Sequence, residues 1–215
     1  MLKKKPFFIV FEGVEGCGKS YQSKRLFKKL KSKKISVILT REPGGTKSAE
    51  LIRNLILKDY FNKSHKDKFD KYTDTLLYLA ARNEHVKNKI IPELKKNNVV
   101  ICDRFVDSTL AYQVYGKRVK IKFINEIHKE ILNGLKPSLT FLLNASSSST
   151  RIRLKKRKVK NRYDKFSKSF YQKAQKAFKK IAKNKKNYFI LDSSKNDKFL
   201  EEEIFRITYE FLKKR

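Results

Sequence analysis

Tryptophan is absent from these 215 residues, methionine occurs once and cysteine twice. Cys17 and Cys102 are too few for a disulfide framework or a zinc pattern, and they point to a reducing compartment, the cytoplasm. With four prolines and seven glycines, the chain is neither collagen-like nor a low-complexity linker. No apolar run approaches the roughly 18 residues needed to span a bilayer, so no membrane segment is expected. The basic start Met1 to Lys5, ahead of an apolar run, faintly imitates a signal peptide. That run ends at Glu12 without a small-residue cleavage site.

Acidic residues are also scarce, 21 against 54 lysines and arginines, which leaves a net charge of +33. Such a surface suits nucleic acid or an anionic membrane. However, lysine outnumbers arginine 42 to 12 and is scattered, without a basic stripe or an aromatic RNA-binding signature. The expectation is a lysine-rich solvated surface that attracts anionic nucleotides, with no specific nucleic-acid partner. An ATP-regulated nucleic-acid-binding protein is the rival from another class. The 40% hydrophobic share and the length suit one globular domain over residues 1–215.

The most informative segment is Gly13-Val14-Glu15-Gly16-Cys17-Gly18-Lys19-Ser20, which fits the phosphate-cradling pattern G-x-x-x-x-G-K-[ST]. Phe7 to Phe11 precede it as an apolar run of strand length, and Leu26, Phe27 and Leu30 follow at helical spacing. Strand, glycine loop and helix are the context in which backbone N–H groups and a helix start hold an anion. All eight residues are expected to bind ATP, with Lys19 on the β and γ phosphates and the Ser20 hydroxyl on Mg2+.

Strand and helix signals alternate along the chain, which predicts a parallel sheet covered on both faces. Further strands are expected at 35–40, 99–102, 139–143 and 188–191, making five. Helices are expected at 47–58, 74–96 (bent or restarted by Pro92), 120–133 and 198–214. Ser146 to Ser149 reads as a turn capping the next helix. In such sheets the ligand lies beyond the carboxyl ends of the strands. The glycine loop, Arg41-Glu42-Pro43-Gly44-Gly45-Thr46 and Asp103-Arg104 all fall there.

Four segments carry a resemblance over essentially the whole chain. They are Phe11 to Ser20, Thr40 to Thr46 (T-R-E-P-G-G-T), Leu79-Ala80-Ala81-Arg82, and Asp103-Arg104-Phe105 with Ser108-Thr109 and Ala111-Tyr112-Gln113. Together they resemble the bacterial thymidylate kinase family, nucleoside monophosphate kinases of the P-loop class. The resemblance implies a three-layer P-loop kinase fold with a short helical lid, here about 147–166. It implies γ-phosphoryl transfer from ATP to dTMP with Mg2+, and a homodimer. A kinase for another nucleoside monophosphate is the nearest rival.

Residue roles follow from the same resemblance. Asp103 would hold Mg2+ through water, or else cap a helix. Arg104 would clamp the dTMP phosphate, a task its planar fork suits. Arg53 would touch that phosphate or the lid, or stay a solvated helix arginine. Glu15 would contact the sugar 3′-hydroxyl and the magnesium shell; Glu12 would share in that network or cap the loop. Tyr78, where many relatives carry Phe, would stack on thymine, and Arg82 one turn on would bond a base oxygen. Ser108, Thr109, Tyr112 and Gln113 would line base and sugar. Relatives place the key catalytic arginine in the glycine loop or in the lid. Here Gly16 and Cys17 occupy the loop, so the lid is expected to supply it from Arg153, Arg157 or Arg162, the last in the best-matching N-R-Y-D element. Two departures stand out. Asn144 stands where relatives commonly have Asp. Cys17 replaces a small residue, as a passive filler or as an acidic thiol near a helix start. Asp192-Ser193-Ser194 follow the last strand, where relatives cradle adenine.

Overall fold

The computed structural model of the chain describes residues 6–58, 69–156, 167–183, 185–195 and 197–214. Five strands form one parallel sheet in the order β2-β3-β1-β4-β5: β1 Phe7–Glu12, β2 Val37–Arg41, β3 Val99–Asp103, β4 Leu139–Asn144 and β5 Tyr188–Asp192. Every residue of β1 and β3 is buried, which explains their unbroken apolar runs. Successive side chains point to opposite faces, so β1 feeds two cores at once. Phe7, Ile9 and Phe11 pack with Leu26 and Leu30 of α1 (Lys19–Ser32), Phe178 of α8 (Lys168–Ala182) and Ile204 and Ile207 of α9 (Lys198–Lys213). Phe8 and Val10 pack on the other face against Val86, Ile90 and Leu94.

Helix starts follow their caps. Thr46 Oγ1 accepts from Ala49 N at the start of α2 (Lys47–Leu57), and Asp70 accepts from Tyr72 N at the start of α3 (Lys71–His85). Ser146 caps α7 (Ser147–Lys155) as expected, accepting from Ser149 N at 3.2 Å. The stretch expected as one bent helix over 74–96 is α3, a π-helical turn over Val86–Ile90, and α4 (Ile91–Lys95). Pro92 has no N–H for the carbonyl one turn back, and the wider turn ahead of it accommodates that loss. Two elements go beyond the expected set. One is α5 (Val106–Thr109) running into a π-helical stretch over Leu110–Gly116; the other is α8. The helix α6 (Ile121–Leu132) completes the layer beside α3. No helix among the described residues is long and apolar enough to cross a membrane.

Candidate active site

Register brings the site together. Phe11 of β1 and Arg41 of β2 both pair with Asp103 of β3, so three strands end side by side. Beyond them lies a cavity of about 430 Å3, lined by the glycine loop, Arg41 to Pro43, Tyr78 and Arg82 of α3, Asp103 and Arg104, Ser108, Thr109, Tyr112 and Gln113, and Arg153 of α7. That size suits a nucleotide-sized ligand.

The glycine loop leaves β1 at Gly13, with φ of 135°, where an added Cβ would lie 2.5 Å from the Leu143 carbonyl oxygen and 2.8 Å from Cys17 Sγ. Only glycine passes there. Gly18 caps α1 in the left-handed region without a side-chain bond, and the first turn of α1 holds no acidic residue. The positive helix end and its N–H groups are thus left for an anion. Lys19 is buried, and its Nζ donates to the Val14 carbonyl at 2.8 Å. Ser20 Oγ donates to Asp103 Oδ2, while the buried Asp103 Oδ1 has no partner among the described residues. A hydroxyl beside an orphaned carboxylate oxygen is a hard-oxygen set that fits Mg2+.

Arg104 turns the chain off β3 at φ +78°, a conformation that side chains rarely adopt and that concentrates at functional sites. Its backbone N–H donates to the Phe11 carbonyl at 2.9 Å. The guanidinium meets the glycine loop: Nη2 lies 2.6 Å from Glu15 Oε1, and Nη1 donates to the Gly13 carbonyl and to Ser108 Oγ, both at 3.0 Å. Two of its five N–H groups, on Nε and Nη2, have no partner among the described residues. Tyr112 donates its hydroxyl to Glu15 Oε2. Burial alone would raise the Glu15 pKa. The Arg104 and Lys19 charges and the Tyr112 bond outweigh it and hold Glu15 below the ordinary carboxylate range. Glu12, 1% exposed, accepts from the backbone N–H groups of Phe105 and Ser108 and from Ser108 Oγ. It therefore caps the helix that carries Ser108 and Thr109. Burial, then the nearby Asp107 carboxylate, pushes its pKa up to about 8.

Arg82, 3% exposed, is bound on every side. Nε donates to Glu42 Oε2 at 2.8 Å and Nη2 lies 2.7 Å from the same oxygen. Nη1 serves Thr109 Oγ1 and His128 Nε2, both at 2.8 Å, and Nη2 serves the Phe105 carbonyl at 2.9 Å. Four hydrogen bonds and a close ion pair thus hold the guanidinium. Glu42 also takes a contact from His85 Nδ1 at 3.1 Å, and His85 Nε2 lies 2.6 Å from Thr40 Oγ1. A Cβ on Gly45 would lie 2.5 Å from that histidine ring, so the glycine lets the loop after β2 close over it. No local pattern assigns a role to Glu42 or His128, because their partners lie 40 or more residues away. The charged pair Arg41-Glu42 at a strand end is the one signal the sequence offers.

The other expected residues fall on the same cavity. Arg53 Nη1 donates to the Pro43 carbonyl at 2.6 Å, and Tyr78 is half-buried in the wall. Gln113 Nε2, an amide donor on a residue 2% exposed, has no partner among the described residues. Arg153 ties α7 to the glycine loop and the segment after β5: Nη1 is 3.2 Å from the Gly16 carbonyl, and Nη2 is 2.9 and 2.5 Å from those of Ser193 and Ser194. Arg157 and Arg162 lie outside the described residues.

The family model Thymidylate kinase matches residues 11–204. The thymidylate kinase of Wolbachia sp. subsp. Brugia malayi (strain TRS) is 42% identical over 180 residues, 82% of each chain. That of Staphylococcus epidermidis (strain ATCC 12228) is 37% identical over 198 residues, 91% of this chain and 94% of the relative. The crystal structure of thymidylate kinase from Ehrlichia chaffeensis superposes with a TM-score of 0.74 at 30% identity, covering 95% of this chain and 99% of the other. The chain belongs to the thymidylate kinase family. It is a phosphotransferase of the P-loop kinase fold. Against the family pattern, Asn144 is accommodated by Gln175, whose Nε2 donates to Asn144 Oδ1 at 2.8 Å and to the Ala145 carbonyl at 3.0 Å. Cys17 is fully buried in the larger core cluster, where a passive filler belongs.

Proposed function

We propose that this protein transfers the γ-phosphoryl group of ATP to dTMP, giving ADP and dTDP, in the cytoplasm. The observation that carries the reading is Arg104. It is fixed to the glycine loop through Glu15 and Gly13, yet two of its N–H groups have no partner among the described residues. A guanidinium so placed suits bidentate capture of a second phosphate in line with the first. The acceptor oxygen of a nucleoside monophosphate is already anionic, so positioning and charge neutralisation are the work required and no protein base is needed. Lys19 and the start of α1 hold the triphosphate. Ser20 and Asp103 would hold Mg2+, which would supply positive charge against that of the phosphates.

Glu15 and Tyr112 meet the acceptor sugar in this reading, Tyr78 stacks on thymine, and Gln113 supplies a hydrogen bond to the base or sugar. Arg53, Ser108 and Thr109 complete that wall. Arg82 reaches a base oxygen only by giving up a bond to Thr109 or Phe105, so its main part is to hold the wall. Arg153, Arg157 and Arg162 supply lid cations. A homodimer is supported by Leu51 and Leu55 on α2 and Leu76 on α3, which are 70, 45 and 47% exposed on two helices that pack together.

The test is phosphorus NMR of the full chain with Mg-ATP and dTMP. A new β-phosphate resonance of dTDP growing with ADP supports the reading, provided Lys19→Ala abolishes it. ATP loss without dTDP contradicts it.

A further inference from the structure

Behind the acceptor wall lies a second cavity of about 570 Å3, lined by β1, α5, α6, the 134–137 turn and the start of β5. It shares no lining residue with the nucleotide cavity. Its body is apolar, formed by Val106, Leu110, Leu132 and Leu135, while exposed Lys129, Lys136 and Lys185 stand around it.

His128 is the decisive residue. It is 7% exposed and lines this cavity, and its Nε2 sits 2.8 Å from Arg82 Nη1. Arginine only donates, so that nitrogen must be the acceptor and the single imidazole proton must sit on Nδ1. Burial and then the Arg82 charge push the His128 pKa down to about 3, which agrees with a neutral ring. Nδ1–H is thus a donor with no acceptor among the described residues. Of the other polar groups on the wall, the buried Thr140 Oγ1 also has no partner among the described residues, while the two carboxylates are engaged. Glu12 takes three donors, and Asp107 takes the Tyr188 hydroxyl at 2.7 Å with Lys185 Nζ 3.9 Å away. A donor that no protein group takes, facing a mostly apolar chamber fringed by lysines, suits a ligand with an apolar body and one anionic acceptor group.

We propose that this second cavity is a binding site for a small apolar or aromatic carboxylate. The carboxylate accepts from His128 Nδ1–H and is held in the field of Lys129, Lys136 and Lys185, and the hydrocarbon replaces water between α5 and α6. Such a ligand sits against the partners of the acceptor wall, because His128 holds Arg82 and Glu12 holds Ser108. Its occupancy is therefore linked reciprocally to that of the nucleotide cavity.

The test is calorimetric titration of the full chain with naphthalene-2-carboxylate and with the neutral 2-naphthylmethanol, each with and without saturating ADP and dTMP. The carboxylate is expected to bind with one-to-one stoichiometry, at least tenfold tighter than the alcohol, and to remain bound beside the nucleotides. His128→Met leaves a weak acceptor for Arg82 and no N–H donor, and it should weaken the carboxylate at least tenfold while leaving the alcohol unchanged. Leu135→Trp fills the chamber from its partly exposed edge and should abolish both. Equal binding of acid and alcohol, displacement by nucleotide, or binding that survives Leu135→Trp would overturn the proposal. So would absence of carboxylate binding at millimolar concentration in a chain whose far-ultraviolet circular dichroism shows it folded.

Discussion

Arg104 Nη2 and Glu15 Oε1 lie 2.6 Å apart, joining the turn after β3 to the middle of the glycine loop. The pair answers why a carboxylate sits where triphosphate binds. Its charge is offset by Arg104, and Arg104 is aimed by it.

Arg104→Ala should therefore raise the dTMP KM by about 100-fold, the size expected for a lost bidentate charged contact, with a far smaller change in the ATP KM. The variant should also unfold at lower urea, because Glu15 loses its nearest cation, though by less than the ~3–5 kcal/mol of a fully buried pair since Lys19 and Tyr112 remain beside it. Arg104→Lys should restore most of the stability and little of the dTMP affinity, since an ammonium lacks the planar fork. Steady-state kinetics and urea titration read the two effects separately.

Gln113 should behave in the opposite way. Its buried Nε2 has no partner, and such an orphan costs about 1–3 kcal/mol. Gln113→Met should leave stability unchanged or raised while increasing the dTMP KM. A fall in stability together with an unchanged KM would assign the residue to packing.

Arg82→Ala should act first on the fold. Glu42 is buried, which alone would raise its pKa, yet Arg82 and His85 bring it below the ordinary range. Removing Arg82 leaves that carboxylate uncompensated, so a loss of about 3–5 kcal/mol is expected in thermal or urea unfolding. Intact stability with a raised dTMP KM alone would make Arg82 a base contact instead of a strut.

Glu12 sets a pH dependence of known sign. Its folded pKa is about 8 against an ordinary 4.5, with burial the main cause and Asp107 the next. Between those values the unfolded chain releases a proton that the folded chain keeps. This contribution is thus fully present below pH 4.5 and is lost as pH rises through 8, by up to about 1.4 kcal/mol per pH unit. Urea midpoints of the natural chain minus those of Glu12→Gln should fall across that window and level off above it. A flat difference would show Glu12 ionised throughout.

Asp103→Asn removes the charge from the orphaned oxygen beside Ser20. Turnover should drop and the Mg2+ concentration for half-maximal rate should rise, with little change in stability. An unchanged Mg2+ requirement would remove Asp103 from that role.

Much of this was legible in the chain itself. The strands β1, β3 and β4 are buried almost throughout and read as unbroken apolar runs. The glycine loop declared itself because each glycine answers a local backbone need. The helix α8 buries Ala174, Ala177, Phe178 and Ala182 at helical spacing, a pattern present in the chain but masked by its many lysines and by the small size of alanine. The helix over 106–116 mixes β-branched, aromatic and small residues, and its first turn depends on Glu12, some 93 positions away. The four hydrogen bonds of Arg82 rest on Glu42, Thr109, His128 and Phe105, from three other parts of the chain. No spacing rule relates those residues. Local patterns thus located the site, while long-range contacts decided which of its residues bind and which hold the binders in place.

The most direct test of the central claim is ADP release from Mg-ATP with dTMP, dUMP, dCMP, dGMP and AMP offered in turn as acceptors. The account expects strong turnover with dTMP and a kcat/KM for dUMP lower by roughly 10–200-fold, the worth of one methyl group, with the others far behind. Equal rates with all five acceptors, or slow hydrolysis that ignores them, would contradict it.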